Sequence, residues 1–295
     1  MMEVDITLAH HLVSTQFPQW ANLPLKAILS AGTDNTIYQL GDDMVVRLPR
    51  ALSAALQVEK EQKWLPQLAP LLSLKIPLPL AHGIPSNSYP CPWSVYSWIE
   101  GDNATPEHIS DPCDAAIRLG TFIFELQGID IADGPLPGEH NFFRGVALGL
   151  RDKGFRVSLA ALTGVIDVDA AASAWDSALQ APEWRAQPRW IHGDLHVGNL
   201  LAQEGRLSSV IDFGGLGVGD PACDIMVAWT YLSAKTRPSF RDVVGVDNAT
   251  WVRGRGWALS FAVIALPYYR IRNPVLAGIA QRVIDEVLAD YKKDS

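Results

Sequence analysis

Hydrophobic and polar positions alternate over the first hundred residues in the manner of short β-strands. Three runs show this alternation before residue 50, at positions 25–30, 36–40 and 44–48. The segments between the runs contain glycine and aspartate, so the pattern predicts an antiparallel meander with tight turns. Apolar spacing within 5–22 predicts a short helix before the strands, and the aromatic run at 93–99 predicts one more strand.

One helix in this first part has a charged residue on its apolar face. Residues 54–68 have the helical period, and several aliphatic side chains fall on the same face as Glu61. A carboxylate in such a position is costly unless it is paired, and Arg47 in the third strand is the natural partner. Glu59 lies off this face and is the second choice of partner for Arg47. Its ordinary explanation would be a surface pair with a residue such as Lys63, four positions further on.

Helical periods dominate beyond residue 100. The predicted helices lie at 114–127, 169–180, 224–233, 240–244, 251–266 and 274–292. Glycines and prolines predict a loop at the start of residues 133–151, followed by a helical part. Such a segment is either a lid beside a site or a packed connector. A β-rich part followed by a larger, mainly helical part predicts an α+β fold.

Composition narrows the class of protein. With 295 residues, 48% of them hydrophobic and 19% charged, the chain is long enough for two globular lobes. The net charge of −8 argues against a nucleic-acid partner. Residues 1–99 hold seven acidic and six basic residues, so residues 100–295 carry −7. This surplus would favour a cationic acceptor, although an ordinary acidic surface explains it better on charge alone.

The cysteines and the N-terminus indicate the cytoplasm. Cys91, Cys113 and Cys223 are too few and too widely spaced for a disulfide framework or a metal knuckle. No apolar run is long enough to span a membrane, and the N-terminus lacks a basic region followed by an apolar core. We therefore expect a cytoplasmic protein without a membrane partner.

Candidate chemistry concentrates in residues 190–228. Two β-like runs, 200–202 and 209–213, flank a turn at 204–205, with Asn199 just before the first run and Asp212 at the end of the second. Oxygen ligands on adjacent strand ends predict a site for a hard cation, and Mg²⁺ is the expected occupant.

Asp194 completes a phosphoryl-transfer pattern. It lies five residues before Asn199 and eighteen before Asp212, which begins Asp-Phe-Gly. This order matches the catalytic and metal loops of protein kinases, in which one Asp accepts the proton of the attacking hydroxyl while an Asn and a second Asp hold the metal. Here the loop begins His-Gly-Asp, and Gly-Asp-Pro-Ala-Cys-Asp follows at 219–224. This version resembles the aminoglycoside phosphotransferase family of kinase-fold small-molecule kinases.

The resemblance implies a bilobal protein-kinase-like fold, with a nucleotide-binding N-lobe in residues 1–100 and a catalytic C-lobe in 101–295. It implies Mg²⁺-dependent transfer of the γ-phosphoryl group of ATP or GTP to a hydroxyl of a small molecule. An aminoglycoside or related antibiotic is the acceptor that the family name suggests. The family also includes macrolide, choline, homoserine and methylthioribose kinases, so the acceptor stays open.

The same resemblance assigns residues to the nucleotide site. Arg47 stands where most kinases carry a lysine that contacts the phosphates, and it keeps the positive charge. Glu61 would be its helix partner. The remaining contacts would be the backbone of Ser97 and Ile99 with adenine, and the side chains of Leu201 and Ile211 under the adenine ring.

Further residues would support the catalytic loop. His192 is expected to brace the loop rather than titrate in the reaction, whereas the role of His196 stays open. Asp220 suits a helix N-cap before Pro221. The resemblance implies that Asp224 binds loop backbone rather than metal.

Two other functions compete with this interpretation. A nucleotide-binding pseudoenzyme of the same fold would account for Arg47, but it would have no need of Asp194, Asn199 and Asp212 together. A protein kinase would carry a Gly-x-Gly-x-x-Gly loop and an activation segment, and the sequence has neither.

Overall fold

A five-stranded antiparallel sheet with two helices forms the N-terminal part of the chain. The computed structural model describes residues 4–28 and 34–294. The elements of this part are α1 (Ile6–Gln16), β1 (Leu25–Ala27), β2 (Asn35–Leu40), β3 (Met44–Pro49), α2 (Leu52–Leu68), β4 (Pro79–Gly83) and β5 (Trp93–Ser97). The strand order is β1-β2-β3-β5-β4, and all neighbours are antiparallel.

The alternation in the sequence explains the two faces of this sheet. Leu40, Val46 and Leu48 are fully buried, and they pack with residues of α1 in a small core of their own. The strand expected at 93–99 ends at Ser97, two residues earlier. Residues 29–33, which were expected to end the first strand and form its turn, lie outside the described residues.

Helix α2 connects the sheet to the rest of the molecule. It begins at Leu52, two residues before the predicted start, and runs to Leu68 through Pro66. Its C-terminal half contributes Trp64 and Leu65 to the larger hydrophobic core, which belongs mostly to the C-terminal part. The helix therefore carries Glu61 between the two parts of the molecule.

The C-terminal part is mainly helical. Its elements are β6 (Asp102–Asn103), α3 (Pro112–Gly128), α4 (Asp152–Ala160), α5 (Val168–Gln180), β7 (Arg189–Ile191), β8 (Leu200–Gln203), β9 (Arg206–Val210), β10 (Gly217–Gly219), α6 (Ala222–Ile225), α7 (Val227–Thr230), α8 (Arg237–Val244), α9 (Asn248–Arg272) and α10 (Pro274–Asp294). Strand β7 pairs with β10, while β6, β8 and β9 form a three-stranded sheet.

Several local predictions differ from this arrangement. The strand expected at 209–213 is β9, which ends at Val210, so Asp212 lies in the turn beyond the strand. Residues 133–151 contain no α-helix but two short 3-10 turns, Glu139–Asn141 and Leu148–Arg151. Asn141 is fully buried, so its part of this segment is a packed connector. The Glu204–Gly205 turn is present as predicted, with positive φ at both residues.

Tryptophans fill the larger core. Trp229 and Trp257 are completely buried and belong to this core. Tyr268 remains exposed near the end of α9. Across residues 4–28 and 34–294, no helix combines the length and apolar character needed to cross a membrane.

Candidate active site

Asp224 holds the start of the catalytic loop through the backbone. Its carboxylate accepts hydrogen bonds from the amides of His192 (2.7 Å) and Gly193 (2.8 Å), just after β7. Gly193 has a φ of +82°, and a Cβ there would lie 2.4 Å from the carbonyl oxygen of Gly215. The two amide donors lower the pKa of Asp224, but the effect of burial is larger and raises this pKa to about 7. The contact with loop backbone is the one that the resemblance implies.

His192 braces this loop from inside. Its Nε2 lies 3.1 Å from the carbonyl oxygen of Ile211, and its Nδ1 accepts a hydrogen bond from the amide of Asp194 (3.2 Å). The imidazole also packs edge-on against Phe213. Burial lowers its pKa to about 4, so the ring is neutral at neutral pH. These contacts connect the catalytic loop to the turn that carries Asp212.

The carboxylate of Asp194 is approached from two sides. Oδ1 lies 3.3 Å from Nη2 of Arg144, whereas Oδ2 faces Nε2 of His196 (3.5 Å) and Nδ2 of Asn199 (3.4 Å). Burial alone would raise the pKa of Asp194, but the hydrogen bond with His196 and the charge of Arg144 lower it to about 2. The side chain retains 34% of its accessible surface. Asp194 is therefore an anion that a substrate can reach.

Asn199 and Asp212 offer oxygen atoms beside this carboxylate. The amide nitrogen of Asn199 donates to the backbone oxygen of Asp194 (2.9 Å), which leaves its Oδ1 for another partner. Asp212 has a left-handed φ of +62°, and its side chain is 46% exposed. Left-handed backbone at a non-glycine residue is costly and is common at functional sites.

These two oxygen donors fit Mg²⁺. Within the described ranges, no group of three or more His, Cys, Asp or Glu is arranged to hold a metal. Two protein oxygens are nevertheless typical of Mg²⁺ sites, in which water and substrate phosphates complete the coordination. Asn199 and Asp212 are the residues that would hold the ion.

A buried ion pair joins the sheet to α2, as expected. Nη1 of Arg47 on β3 lies 3.2 Å from Oε2 of Glu61, which is only 2% exposed and also accepts a hydrogen bond from the hydroxyl of Tyr96. Nη2 of Arg47 binds Oδ1 of Asp212 at 2.8 Å. Burial opposes the charge of Arg47, but the carboxylates of Glu61 and Asp212 raise its pKa above the ordinary value. The link to Asp212, 165 residues away, was not predicted.

Four further residues were predicted to contact the nucleotide: Ser97 and Ile99 at the end of β5, and Leu201 and Ile211 around β8 and β9. The amide of Ser97 donates to the carbonyl of Leu78 (2.8 Å), so only the Ser97 carbonyl is left for a hydrogen bond with adenine. Ile99 lies beyond the strand end. Leu201 on β8 lies against Gly101, where a Cβ would come within 3.2 Å of the Leu201 Cβ. Ile211 is linked through its backbone to Asn199 and His192.

Two cations in the site were missed by the sequence analysis. Arg144 follows the buried Asn141, and Lys60 lies on α2 next to Glu61. The Lys60 ammonium donates to the carbonyls of Gly214 (2.8 Å) and His140 (3.0 Å), and burial lowers its pKa to about 8. The position of Lys60 one residue before Glu61, on the inner side of a helix, was the only available signal. The sequence held no signal for Arg144, because the residues that it contacts come from distant parts of the chain.

Two expectations about carboxylates outside the catalytic loop are changed by the structure, one replaced and one extended. Glu59 pairs with His82 (3.1 Å) rather than with Lys63, whose ammonium lies over the ring of Trp64. Asp220 does accept from the amide of Ala222 (3.0 Å), but it is also bound by Arg253 through Nε (2.8 Å) and Nη2 (3.1 Å). Asp220 therefore connects the segment after the metal loop to α9.

The sequence pattern of the phosphotransferase enzyme family matches residues 27–257, which is most of the chain. The chain belongs to this family. This phosphotransferase is accordingly an enzyme that transfers phosphate to an alcohol group of a small molecule. A comparison with curated proteins gives no match.

Solved structures of kinase-like phosphotransferases share the fold of this phosphotransferase. The GDP complex of wild-type aminoglycoside 2'-phosphotransferase-IIIa has a TM-score of 0.72 and 19% identity, covering 98% of this chain and 100% of the other. The GDP and kanamycin complex of APH(2")-IIia has 0.71 and 22%, covering 96% and 98%. Macrolide 2'-phosphotransferase MphH from Brachybacterium faecium has 0.61 and 18%, covering 95% and 97%. The expected bilobal, kinase-like α+β fold is confirmed.

Proposed function

We propose that this phosphotransferase moves the γ-phosphoryl group of ATP or GTP to a hydroxyl of a small molecule in a Mg²⁺-dependent reaction. The observation that carries the proposal is a chain of contacts: Asn199 lies against Asp194, its carbonyl accepts from the amide of Ile211 next to Asp212, and Asp212 binds Arg47. Solved relatives support a nucleotide donor and an antibiotic acceptor, since their complexes contain GDP, ATP, kanamycin, gentamicin or streptomycin. An aminoglycoside or related antibiotic is the first acceptor class to test.

Asp194 orients the attacking hydroxyl. Its carboxylate accepts the hydroxyl hydrogen bond, the hydroxyl oxygen forms a bond to the γ-phosphorus, and the bond to the oxygen bridging the β- and γ-phosphorus breaks. The proton passes to Asp194. Because the pKa of Asp194 is held at about 2, the carboxylate is a weak base, which suits a loose transition state with late proton transfer.

The nucleotide would lie between the sheet and β8. Asn199 and Asp212 would hold the magnesium ion, which neutralises phosphate charge when bound. Arg47, kept in place by Glu61, would contact the phosphates. The Ser97 carbonyl and the Ile99 backbone would bind adenine, with Leu201 and Ile211 beneath it. We divide the chain at residue 100 into the nucleotide-binding and catalytic lobes, and we expect a cytoplasmic enzyme without a nucleic-acid partner.

Nucleotide consumption by the purified protein with Mg²⁺ tests this proposal, using aminoglycosides, macrolides and small hydroxylated metabolites as acceptors. Asp194→Ala should lower turnover by about 10²- to 10⁴-fold and leave nucleotide binding intact. Asp212→Ala should weaken Mg-nucleotide binding and turnover together. Asp176→Ala is the control, since this exposed carboxylate pairs with Arg156 away from the site.

The outcomes separate the alternatives. Unchanged turnover in Asp194→Ala would contradict its role. Stimulation by choline, homoserine or methylthioribose rather than by an antibiotic would identify a metabolite kinase. Tight Mg-nucleotide binding without turnover on any acceptor would support the pseudoenzyme that the arginine at position 47 suggests.

A further inference from the structure

Arg144 has a fixed backbone at the edge of the site. The two residues before it, Phe142 and Phe143, both have a left-handed φ of +56°. The amide of Arg144 donates to the carbonyl of Asn141 (3.0 Å), and the Asn141 side chain donates back to the Arg144 carbonyl (3.2 Å). Two bulky residues in this conformation are energetically costly, and such strain is kept where the neighbouring structure imposes it. The turn therefore presents Arg144 in one place.

The guanidinium group of Arg144 has more donors than partners. Its only side-chain hydrogen bond to a described residue is the one from Nη2 to Asp194, at 3.3 Å. Nε is buried and has no partner among the described residues, and the ring of Phe261 lies 5.7 Å from the guanidinium carbon. A guanidinium carries five N–H donors and stays charged. The terminal nitrogens, one of which lies beside the 34% exposed side chain of Asp194, are the donors of this group that can bind oxygen atoms of a ligand.

The position of Arg144 identifies these oxygens. Arg144 binds Oδ1 of Asp194, whereas Asn199 and His196 lie at Oδ2, so the arginine and the expected metal ligand contact different oxygens of the carboxylate. A hydroxyl oriented by Asp194 lies about 3 Å from it. The phosphorus that the hydroxyl attacks is then about 3 to 3.5 Å further away. A long arginine side chain next to Asp194 is within reach of the phosphoryl oxygens.

We propose that Arg144 is a catalytic residue that binds the oxygens of the phosphoryl group during transfer, from the side opposite the metal ligand Asn199. This inference rests on the proposed function, because it needs a phosphoryl group passing Asp194. Arg144 stabilises the charge that spreads over the equatorial oxygens in the loose transition state. No covalent step involves the arginine, and its proton stays in place.

A transition-state mimic tests this role without knowledge of the acceptor. Tetrafluoroaluminate, which stands in for the transferring phosphoryl group, is added to the protein with MgADP or MgGDP, and nucleotide affinity is measured by calorimetry. In the wild type it should tighten nucleotide binding by about 10²-fold or more, because enzymes bind such mimics better than ground-state ligands. Arg144→Gln should lose most of this gain and keep its affinity for the nucleotide alone. Arg144→Lys should recover part of it.

Arg241→Gln provides the matched control. Arg241 also lies over an aromatic ring, that of Trp251 at 4.8 Å, but its side-chain hydrogen bond is to Asn248 on α9. This variant should keep the full gain. An Arg144→Gln variant that keeps the gain would overturn the inference, and so would a wild type that binds nucleotide but shows no gain. A wild type that binds no Mg-nucleotide would instead overturn the proposed function itself.

Discussion

Single side chains in this site are held in defined charge states by a few contacts. Arg47 stays charged between Glu61 and Asp212, although burial opposes its charge. His192 stays neutral because it is buried, and Asp194 stays anionic because cationic and hydrogen-bonding groups surround it. The site therefore presents a fixed arrangement of charges before any ligand binds, which is the kind of preorganisation that favours charge stabilisation.

Removing the charge of Arg47 should destabilise the fold and weaken nucleotide binding. Arg47→Met leaves Glu61 buried without its ion pair, which costs about 3 to 5 kcal/mol when one partner of a buried pair is lost. Arg47→Lys should lose less stability and retain Mg-nucleotide binding. Urea unfolding and nucleotide titration measure both effects. Arg50→Met is the control, because the guanidinium of Arg50 donates a partly buried hydrogen bond to the hydroxyl of Thr36. Equal stability of Arg47→Met and wild type would contradict the buried pair.

His192 should make stability depend on pH below neutrality. Its folded pKa of about 4 lies below the ordinary 6.5, so between these values the unfolded chain binds a proton that the folded chain does not. The stability contributed by neutral His192 is complete above pH 6.5 and is lost as pH falls toward 4, by about 3 kcal/mol in total.

The variant His192→Asn isolates this contribution. It removes the titrating group, so the difference in free energy of unfolding between wild type and variant should shrink as pH falls from 7 to 4. Urea unfolding at several pH values measures this difference. Parallel pH curves for the two proteins would show that His192 does not titrate in this way.

Helix α2 is the element that connects the sheet, the metal loop and the connector before Arg144. Glu61 binds Arg47 on the sheet, while the preceding residue, Lys60, binds the carbonyl of Gly214 after Asp212 and that of His140. A rigid-body movement of the helix would displace all of these partners together. Alignment of α2 therefore affects Arg47 on the sheet, the turn after Asp212 and the segment before Arg144 together.

Loss of the Lys60 ammonium should loosen the metal loop. Lys60→Met removes the donor to the carbonyl of Gly214 and leaves this buried acceptor unpaired, which costs about 1 to 3 kcal/mol. Amide hydrogen exchange in residues 212–216 should accelerate. Lys63→Met is the matched control, because Lys63 is an exposed residue of the same helix. Equal exchange in both variants would show that the contact does not hold the loop.

At the scale of the whole molecule, the acidic charge is unevenly distributed. Residues 248–284 contain five arginines and no aspartate or glutamate, and this stretch includes α9, whose Phe261 lies over Arg144. The expectation of a cationic acceptor came from the total charge of residues 100–295. These arginines leave that expectation standing, because Arg253 pairs with Asp220 and Arg255 with Asp290 and Asp294, so their charge is balanced within the fold.

A pair of acceptors with and without positive charge tests this expectation. Kanamycin and its fully N-acetylated form offer the same hydroxyls, but the acetylated form has lost the ammonium groups. We expect kcat/KM to be higher for the amine form at low salt, with a smaller difference at high salt as screening increases. The salt dependence separates charge from the added bulk of the acetyl groups, so a difference between the two forms that salt does not change would contradict the argument from charge.

The sequence by itself determined the order of most elements, and it supplied the candidates for the reacting groups. Alternation and helical period placed most strands and helices, because side chains that repeat every two or every 3.6 residues share a face. The catalytic and metal loops were recognisable because Asp194, Asn199 and Asp212 lie within one stretch of chain. The short strands β7 and β10 were missed, since β7 is Arg-Trp-Ile and β10 is Gly-Val-Gly, and neither shows an alternation of apolar and polar residues.

Only the tertiary structure decided which distant charges meet. Arg47 and Asp212 are 165 residues apart, Lys60 and Gly214 are 154 apart, and Arg144 and Asp194 are 50 apart. Contacts of this kind leave no periodic signal, because packing of whole elements creates them rather than local spacing. The same is true of the arginines of α9, whose charge is balanced by carboxylates that other segments bring to them.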